Sequence, residues 1–291
     1  MKKSVLICLV LVLVSLLGVF AVAETVNTTT VTDTSVVETV TNTNVTGTTG
    51  SMFNSGTGTT EELTGFARFL KIAKEVNPML LQGLWVTIWV SVLAIIIGLF
   101  VGLLTCFMGR SNNIILKSIA AVYVWCIRGT PLMVQAFVVY YGIPVVVQIW
   151  QPDFVIPALN AGLITLSLNA GAYMSEIFRG GIAAVNKGQV EAARSLGLNK
   201  TRTMVKIVLP QAFKLVIPSL VNQFIITIKD SSILSVISMQ EIMKEADIYV
   251  GRTYNYFEPY AIVAVYYLAL LSVLMVASKF IEKKLNYDKK S

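Results

Sequence analysis

The sequence predicts an all-α membrane protein with five core transmembrane helices, and three observations carry that prediction. Hydrophobic residues make up 55% of the 291, charged residues only 13%, and the mean hydropathy is +0.71. The apolar residues fall in long blocks without charges, each long enough to cross about 30 Å of hydrocarbon as a helix. The basic residues gather at the ends of those blocks and form no solvated patch interleaved with aromatics, so the net charge of +7 does not indicate nucleic acid.

The N-terminal elements come first. Lys2 and Lys3 precede an apolar run from Val5 to Phe20, closed by Ala21-Val22-Ala23. Residues 1–23 therefore read as a signal peptide or a retained N-terminal anchor, and both place residue 24 outside. Residues 24–60 are rich in Thr, Asn, Val, Ser and Gly, with too few large apolar side chains to bury a core, and are expected to form a flexible extracytoplasmic spacer. Residues 61–82 set Phe66, Phe69, Leu70 and Ile72 among Arg68, Lys71 and Lys74, the pattern of an amphipathic helix lying on the membrane surface.

Five spans follow, near 84–108, 130–149, 154–175, 213–238 and 261–278, and only the fourth is interrupted, by Lys229 and Asp230. Five spans that start outside end inside, with residues 286–291 as a cytoplasmic tail. Loop charges test this independently, because Lys and Arg are retained on the cytoplasmic side. Segments expected inside carry 14 basic residues (Arg110, Lys117, seven from Arg179 to Lys214, five from Lys279 to Lys290), and those expected outside carry five (Arg68, Lys71, Lys74, Lys244, Arg252). The asymmetry supports the orientation. Trp85, Trp89, Trp125 and Trp150 fall near span ends, as an interfacial aromatic belt would.

Much enzyme chemistry is excluded. The chain has no histidine, which removes Ser-His-Asp and Cys-His nucleophiles and His-ligated zinc. Cys8, Cys106 and Cys126 show no CxxC or paired spacing, so neither a disulfide framework nor a metal site is expected. No catalytic residues and no cofactor are assigned.

The long inside loop, Gly180 to Gln211, is the most informative segment. Val190 to Leu196 is competent for a short helix that Gly197 can close in the left-handed conformation. Asn199 is a good N-cap for a second helix through Val208, with Pro210 expected as its stop. Two short helices at a fixed angle make a rigid knob.

The stretch from Glu191 through Ile207, Leu209, Pro210 and Ala212 resembles the EAA loop of ABC importer permeases: E-A-A, three residues, G, then a spaced I-x-L-P. Ile127-Arg128-Gly129-Thr130-Pro131-Leu132-Met133-Val134-Gln135 is similar to the RGTPLLVQ segment of the polar amino acid (histidine/glutamine-type) permeases. The segments from Ala172 to Gly181 and from Lys229 to Leu234 are similar to patterns of the same subfamily. The resemblance covers about residues 80–285, and the Thr/Asn-rich stretch departs from it. It implies a type I permease domain over 83–285, with 180–211 as the coupling loop and Glu191, Ala192, Ala193 and Gly197 docking on an ATP-binding subunit. It further implies an ATP-binding cassette dimer, a second permease copy or close relative, an extracytoplasmic solute-binding protein and an amino acid substrate as partners, in contact with membrane lipid. The chain contains no G-x-x-x-x-G-K-[ST], so ATP hydrolysis is expected in the partner and the chain itself is expected to be a transport subunit, not an enzyme.

Candidate pathway residues come from charge and spacing. Asn169, Tyr173 and Glu176, four and three apart, share one helical stripe, expected to face the interior; Glu176 could instead snorkel to the interface. Lys229 and Asp230 are adjacent, so on a regular helix they point apart. Either the helix is irregular there, with the two charges and Ser232 lining a pathway for a zwitterion, or they form a structural inter-helix ion pair. Arg128 reads as a headgroup anchor. Alternative functions are an ABC permease for another small solute such as an osmolyte, an ion-coupled secondary transporter, or a membrane-embedded enzyme.

Overall fold

The computed structural model describes residues 65–287, and all regular structure within them is helical. The expected signal peptide or anchor at 1–23, the spacer at 24–60 and the tail residues 288–291 lie outside the described residues.

The first helix, α1, runs unbroken from Gly65 to Gly109. Over residues 65–82, the separate surface helix expected at 61–82 is instead the leading part of this element. Its apolar stripe, Ile72, Val76 and Leu80, is buried against Ile242, Ala246, Tyr249, Ile262 and Val263, so protein occupies the face that the sequence assigned to lipid. The charged side remains exposed at Arg68, Lys71, Lys74 and Glu75.

Asn113 caps the next helix, α2 (Ile114–Gly129), by accepting from the Ile115 N–H at 2.9 Å. Thr130, held extended by the following Pro131, ends it, and its hydroxyl donates to the orphan Cys126 carbonyl. The chain turns by 111° into α3 (Leu132–Val147), which contains a π-helical turn at Val138–Gly142. The expected span at 130–149 is thus one arm of a bent pair, and the other arm is drawn from a segment read as cytoplasmic loop.

Helix α4 (Ala158–Ala183) is the centre of the bundle: 13 of its 26 residues are buried. At 1.5 Å per residue it is about 39 Å long. Neighbouring helices cover half of it, so it tolerates Asn169, Thr165 and Ser167, all buried. Its most extensive partner is α1. Gly98 and Gly102 make the contact possible: a Cβ on Gly102 would stand 2.8 Å from both the Gly171 carbonyl oxygen and the Met174 Cβ, the close approach that small residues four apart allow.

After the short helix α5 (Lys187–Ser195), α6 extends over Lys200–Ile237. Pro210 does not stop it. A π turn at Met204–Val208 precedes the proline, which occupies the first turn of the regular segment Leu209–Asp230, where a missing N–H is tolerated. The helix tightens to 3-10 geometry at Ser231–Ile237, so the irregularity anticipated around Lys229 and Asp230 lies directly after them. Ser238 in the left-handed conformation ends it. Helices α7 (Ile242–Thr253) and α8 (Phe257–Tyr287) complete the fold.

Among the described residues, three helices are long and apolar enough to cross a membrane: α1 from Ala67, α6 and α8 over Phe257–Phe280; the bent pair makes a fourth if it counts as one span. Gly181 packs on Ala212 and Val216, and Gly162 on Leu234 and Met239, so α4 and α6 run antiparallel. Lys229 therefore stands near the level of Asn169, and Glu176 lies closer to the end that carries α5.

Candidate functional site

The knob at the α4–α6 connection is built from local rules. Asn186 accepts from the Gly188 N–H at 2.8 Å and starts α5. At its end Gly197, with φ +82°, reverses the chain: the Gly197 N–H donates to the Arg194 carbonyl at 2.9 Å and the Leu198 N–H to the Ala193 carbonyl at 3.1 Å, the paired bonds of a Schellman closure. Asn199 then accepts from the Arg202 N–H at 2.8 Å and opens α6. Val185, Val208 and Ala212, with Val190 and Met204 packed against them, fix the knob to the helices beneath.

The four residues read as a docking set divide by exposure. Ala193 is buried and belongs to the closure, whereas Glu191, Ala192 and Gly197 face outward. The residue that sequence reasoning missed is Leu196, 82% exposed at the apex. Its signal was available: a large apolar side chain immediately before a helix-closing glycine has no turn of its own helix left to cover it.

A second cluster forms where α2 meets the lower part of α4. Glu176 is held by Arg179, whose Nε donates to Oε1 at 3.0 Å while Nη2 donates to Oε2, and Arg128 approaches Oε2 at 3.5 Å. The Arg128 guanidinium also stacks over the Tyr173 ring, 5.3 Å from its centroid. Arg128 is therefore a partner of the α4 stripe as well as a residue at a helix end, and Glu176 is an ion-pair partner rather than a lone snorkelling carboxylate. Sequence spacing related Tyr173 to Glu176; it could not relate either to Arg128, because that contact depends on how α2 packs against α4.

Asn169, the third member of the stripe, is buried and donates to Gln135 Oε1 at 3.1 Å. The Gln135 amide in turn donates to the Ile127 carbonyl at 2.7 Å and the Thr130 carbonyl at 2.9 Å, tying α4 to both arms of the bend. Lys229 is exposed and Asp230 half-buried; Ser232 donates to the Lys229 carbonyl at 2.7 Å. No salt bridge joins Lys229 or Asp230 to another helix among the described residues. The six pathway candidates are thus spread along the bundle: Lys229, Asp230 and Ser232 on α6 near the level of Asn169, and Tyr173 and Glu176 one to two turns nearer the knob.

This architecture has close counterparts. Residues 94–287 match the family described as binding-protein-dependent transport system inner membrane component. A Rickettsia typhi relative that carries the name glutamine transport system permease protein GlnP is 39% identical over 71% of this chain and 92% of its own length. The Bacillus subtilis arginine transport system permease protein ArtQ is 41% identical over 57% of this chain and 74% of its own. Among solved structures, a chain from the crystal structure of an amino acid ABC transporter with histidines superposes with a TM-score of 0.70 at 39% identity, covering 74% of this chain and 98% of that one. The MetNI methionine ABC transporter in an inward-facing conformation shares the fold, with a TM-score of 0.58 at 17% identity. With two thirds of its length inside the family match and that match taking in the knob, the bent pair and α4, the chain belongs to the binding-protein-dependent transport system inner membrane components, the permease subunits of ABC importers.

Proposed function

We propose that the chain forms the translocation pathway of an importer for polar amino acids and takes its driving force from an ATP-binding subunit docked on the knob around Gly197. The single observation that supports this best is the Schellman-closed apex: a rigid element anchored to both α4 and α6 that presents Leu196 to solvent. An apolar side chain so placed favours a protein partner with a matching cleft, with Glu191, Ala192 and Gly197 beside it. The knob lies on the cytoplasmic side, in keeping with the basic residues that surround it.

The substrate assignment draws on the relatives, which carry glutamine and arginine in their names. It also fits the side chains. A zwitterion needs both a cation and an acceptor, and Lys229, Asp230, Ser232, Asn169, Tyr173 and Glu176 supply both along the path from the outer part of α6 to the inner part of α4. A second permease copy would face the exposed Lys229, and alternating exposure of the path to either side would follow from rocking of the two halves.

The test is uptake of labelled glutamine, arginine and other amino acids into liposomes holding the chain with its ATP-binding and solute-binding partners. Polar amino acids should enter only with ATP. Gly197→Val, which forces a β-branched residue into left-handed geometry at a cost of roughly 1–2 kcal/mol or more, should lower uptake about tenfold while insertion persists. Unchanged uptake would remove the coupling role. Lys229→Met should impair transport in an assembled complex, and a wild-type rate would remove Lys229 from the pathway.

A further inference from the structure

Between the end of α1, one face of α2 and the lower part of α4 lies an open cleft of about 1060 Å³. Arg110, Lys117, Arg128 and Arg179 line it, against a single carboxylate, Glu176. Glu176 is engaged by Arg128 and Arg179, so the excess positive charge falls on Arg110 and Lys117, neither of which makes a salt bridge among the described residues. Ser111 and Asn112, in the turn between α1 and α2, add polar groups beside them.

The α2 side of the wall is apolar beyond Lys117, while Thr105 of α1 and Tyr173 and Ser175 of α4 face it. Ala120, Ala121, Val124 and Trp125 follow Lys117 on one face of α2, at three- and four-residue spacing. Trp125, at the edge of that face, is 60% exposed. Ala183, beside the knob, also borders the cleft, which places it on the side where basic residues accumulate. Two cations without acidic partners beside an apolar strip of α2 match a ligand with an anionic head and hydrocarbon tails.

We propose that this cleft binds an anionic phospholipid of the inner leaflet, its phosphodiester held by Arg110 and Lys117 and its acyl chains lying along Ala121, Val124 and Trp125. Basic pockets between membrane helices on the cytoplasmic side take lipid headgroups by the same combination of charge and local apolar surface. A small soluble anion would use the cations and leave the apolar wall unmatched. The site rests on the inner orientation of the α1–α2 turn and not on which solute is carried.

Native mass spectrometry of the purified full chain in neutral detergent decides it, with phosphatidylglycerol and phosphatidylcholine titrated separately. Phosphatidylglycerol should bind preferentially. Arg110→Gln combined with Lys117→Gln should weaken it about thirtyfold, the size expected for two basic residues beside an anionic headgroup, and leave phosphatidylcholine unaffected. The charge-retaining pair Arg110→Lys and Lys117→Arg should keep the preference, and equal melting temperatures of the variants show that folding is intact. Equal binding of the two lipids, or full phosphatidylglycerol binding by the double Gln variant, would overturn the proposal. Displacement by millimolar inorganic phosphate would make the cleft a free-anion site, and displacement by glutamine or arginine would assign it to the transported solute; either result also overturns it. Because binding is read without ATP or transport, failure here leaves the importer reading untouched, and failure of uptake leaves this one standing.

Discussion

Ser91 is fully buried in α1 and its hydroxyl meets no acceptor or donor within hydrogen-bonding reach. Four residues earlier on the same helix, Thr87 shows the usual solution, donating to the Gly83 carbonyl at 3.0 Å and accepting from the Ile242 N–H at 3.3 Å. A buried hydroxyl left unpaired costs roughly 1–3 kcal/mol, so Ser91→Ala, which removes the group and little volume, should stabilise the protein by about 1 kcal/mol. A thermal melt of the detergent-purified chain reads this as a rise in midpoint; a fall would mean that the hydroxyl has a partner in solution. Residue-scale features with local causes were legible from sequence. Gly197 at positive φ and the Asn199 cap follow from neighbours within a turn, and the structure has both. The empty valence of Ser91 was not, since it depends on which helices pack around position 91.

At the scale of elements, the bend between α2 and α3 shows how far sequence reasoning reaches and where it stops. Thr130-Pro131 announces a break, because a residue before proline is driven out of helical geometry. Gln135 makes the break a defined corner: its amide nitrogen serves the Ile127 and Thr130 carbonyls and its oxygen accepts from Asn169. Gln135→Leu should therefore cost about 2–4 kcal/mol, because it strands the buried Asn169 amide and weakens the hold on the two carbonyls at the bend. Adding Asn169→Leu should restore part of the loss, a coupling that a double-mutant cycle of thermal midpoints measures, and strict additivity would mean that the two side chains do not interact. The apolar blocks from 84, 213 and 261 were legible because lipid-exposed helices must be apolar along their length. The arm over 114–129 was not, because Lys117 and Arg128 sit within it. The stripe of Ile72, Val76 and Leu80 was assigned to lipid because an apolar stripe looks the same whether lipid or α7 and α8 cover it. Of the candidate site, the knob was legible as local chemistry, Leu196 included, while Arg128 and Gln135 acquire their roles only from the tertiary arrangement.

The whole molecule is closed on the side opposite the knob by an assembly of the leading half of α1, α7 and α8, linked through tyrosine hydroxyls. Tyr249 donates to Glu75 at 3.0 Å, Tyr260 to Asp247 at 3.0 Å, Tyr266 to Asn77, and Tyr267 to Glu241 at 3.2 Å. Glu241 is the hub of this cap, with no exposed surface, at the start of α7 where the Lys244 N–H donates to its Oε1 at 2.8 Å. Burial pushes its carboxyl from the ordinary 4.5 up to about 7; the Met243 and Lys244 N–H groups and the Tyr267 hydroxyl act in the opposite direction, and nearby Asp247 adds to the rise. An acid whose folded pKa is raised binds its proton more tightly in the folded state. Its contribution to stability is complete below about pH 4.5 and is lost as the pH climbs through about 7. The apparent melting midpoint of the full chain should accordingly fall between about pH 5 and pH 8, and Glu241→Gln, which keeps an acceptor for the Lys244 N–H without the titrating charge, should flatten that fall and melt higher than the parent at the alkaline end. Parallel profiles for the two proteins would show that Glu241 stays ionised in the folded cap, and that its hydrogen bonds outweigh its burial.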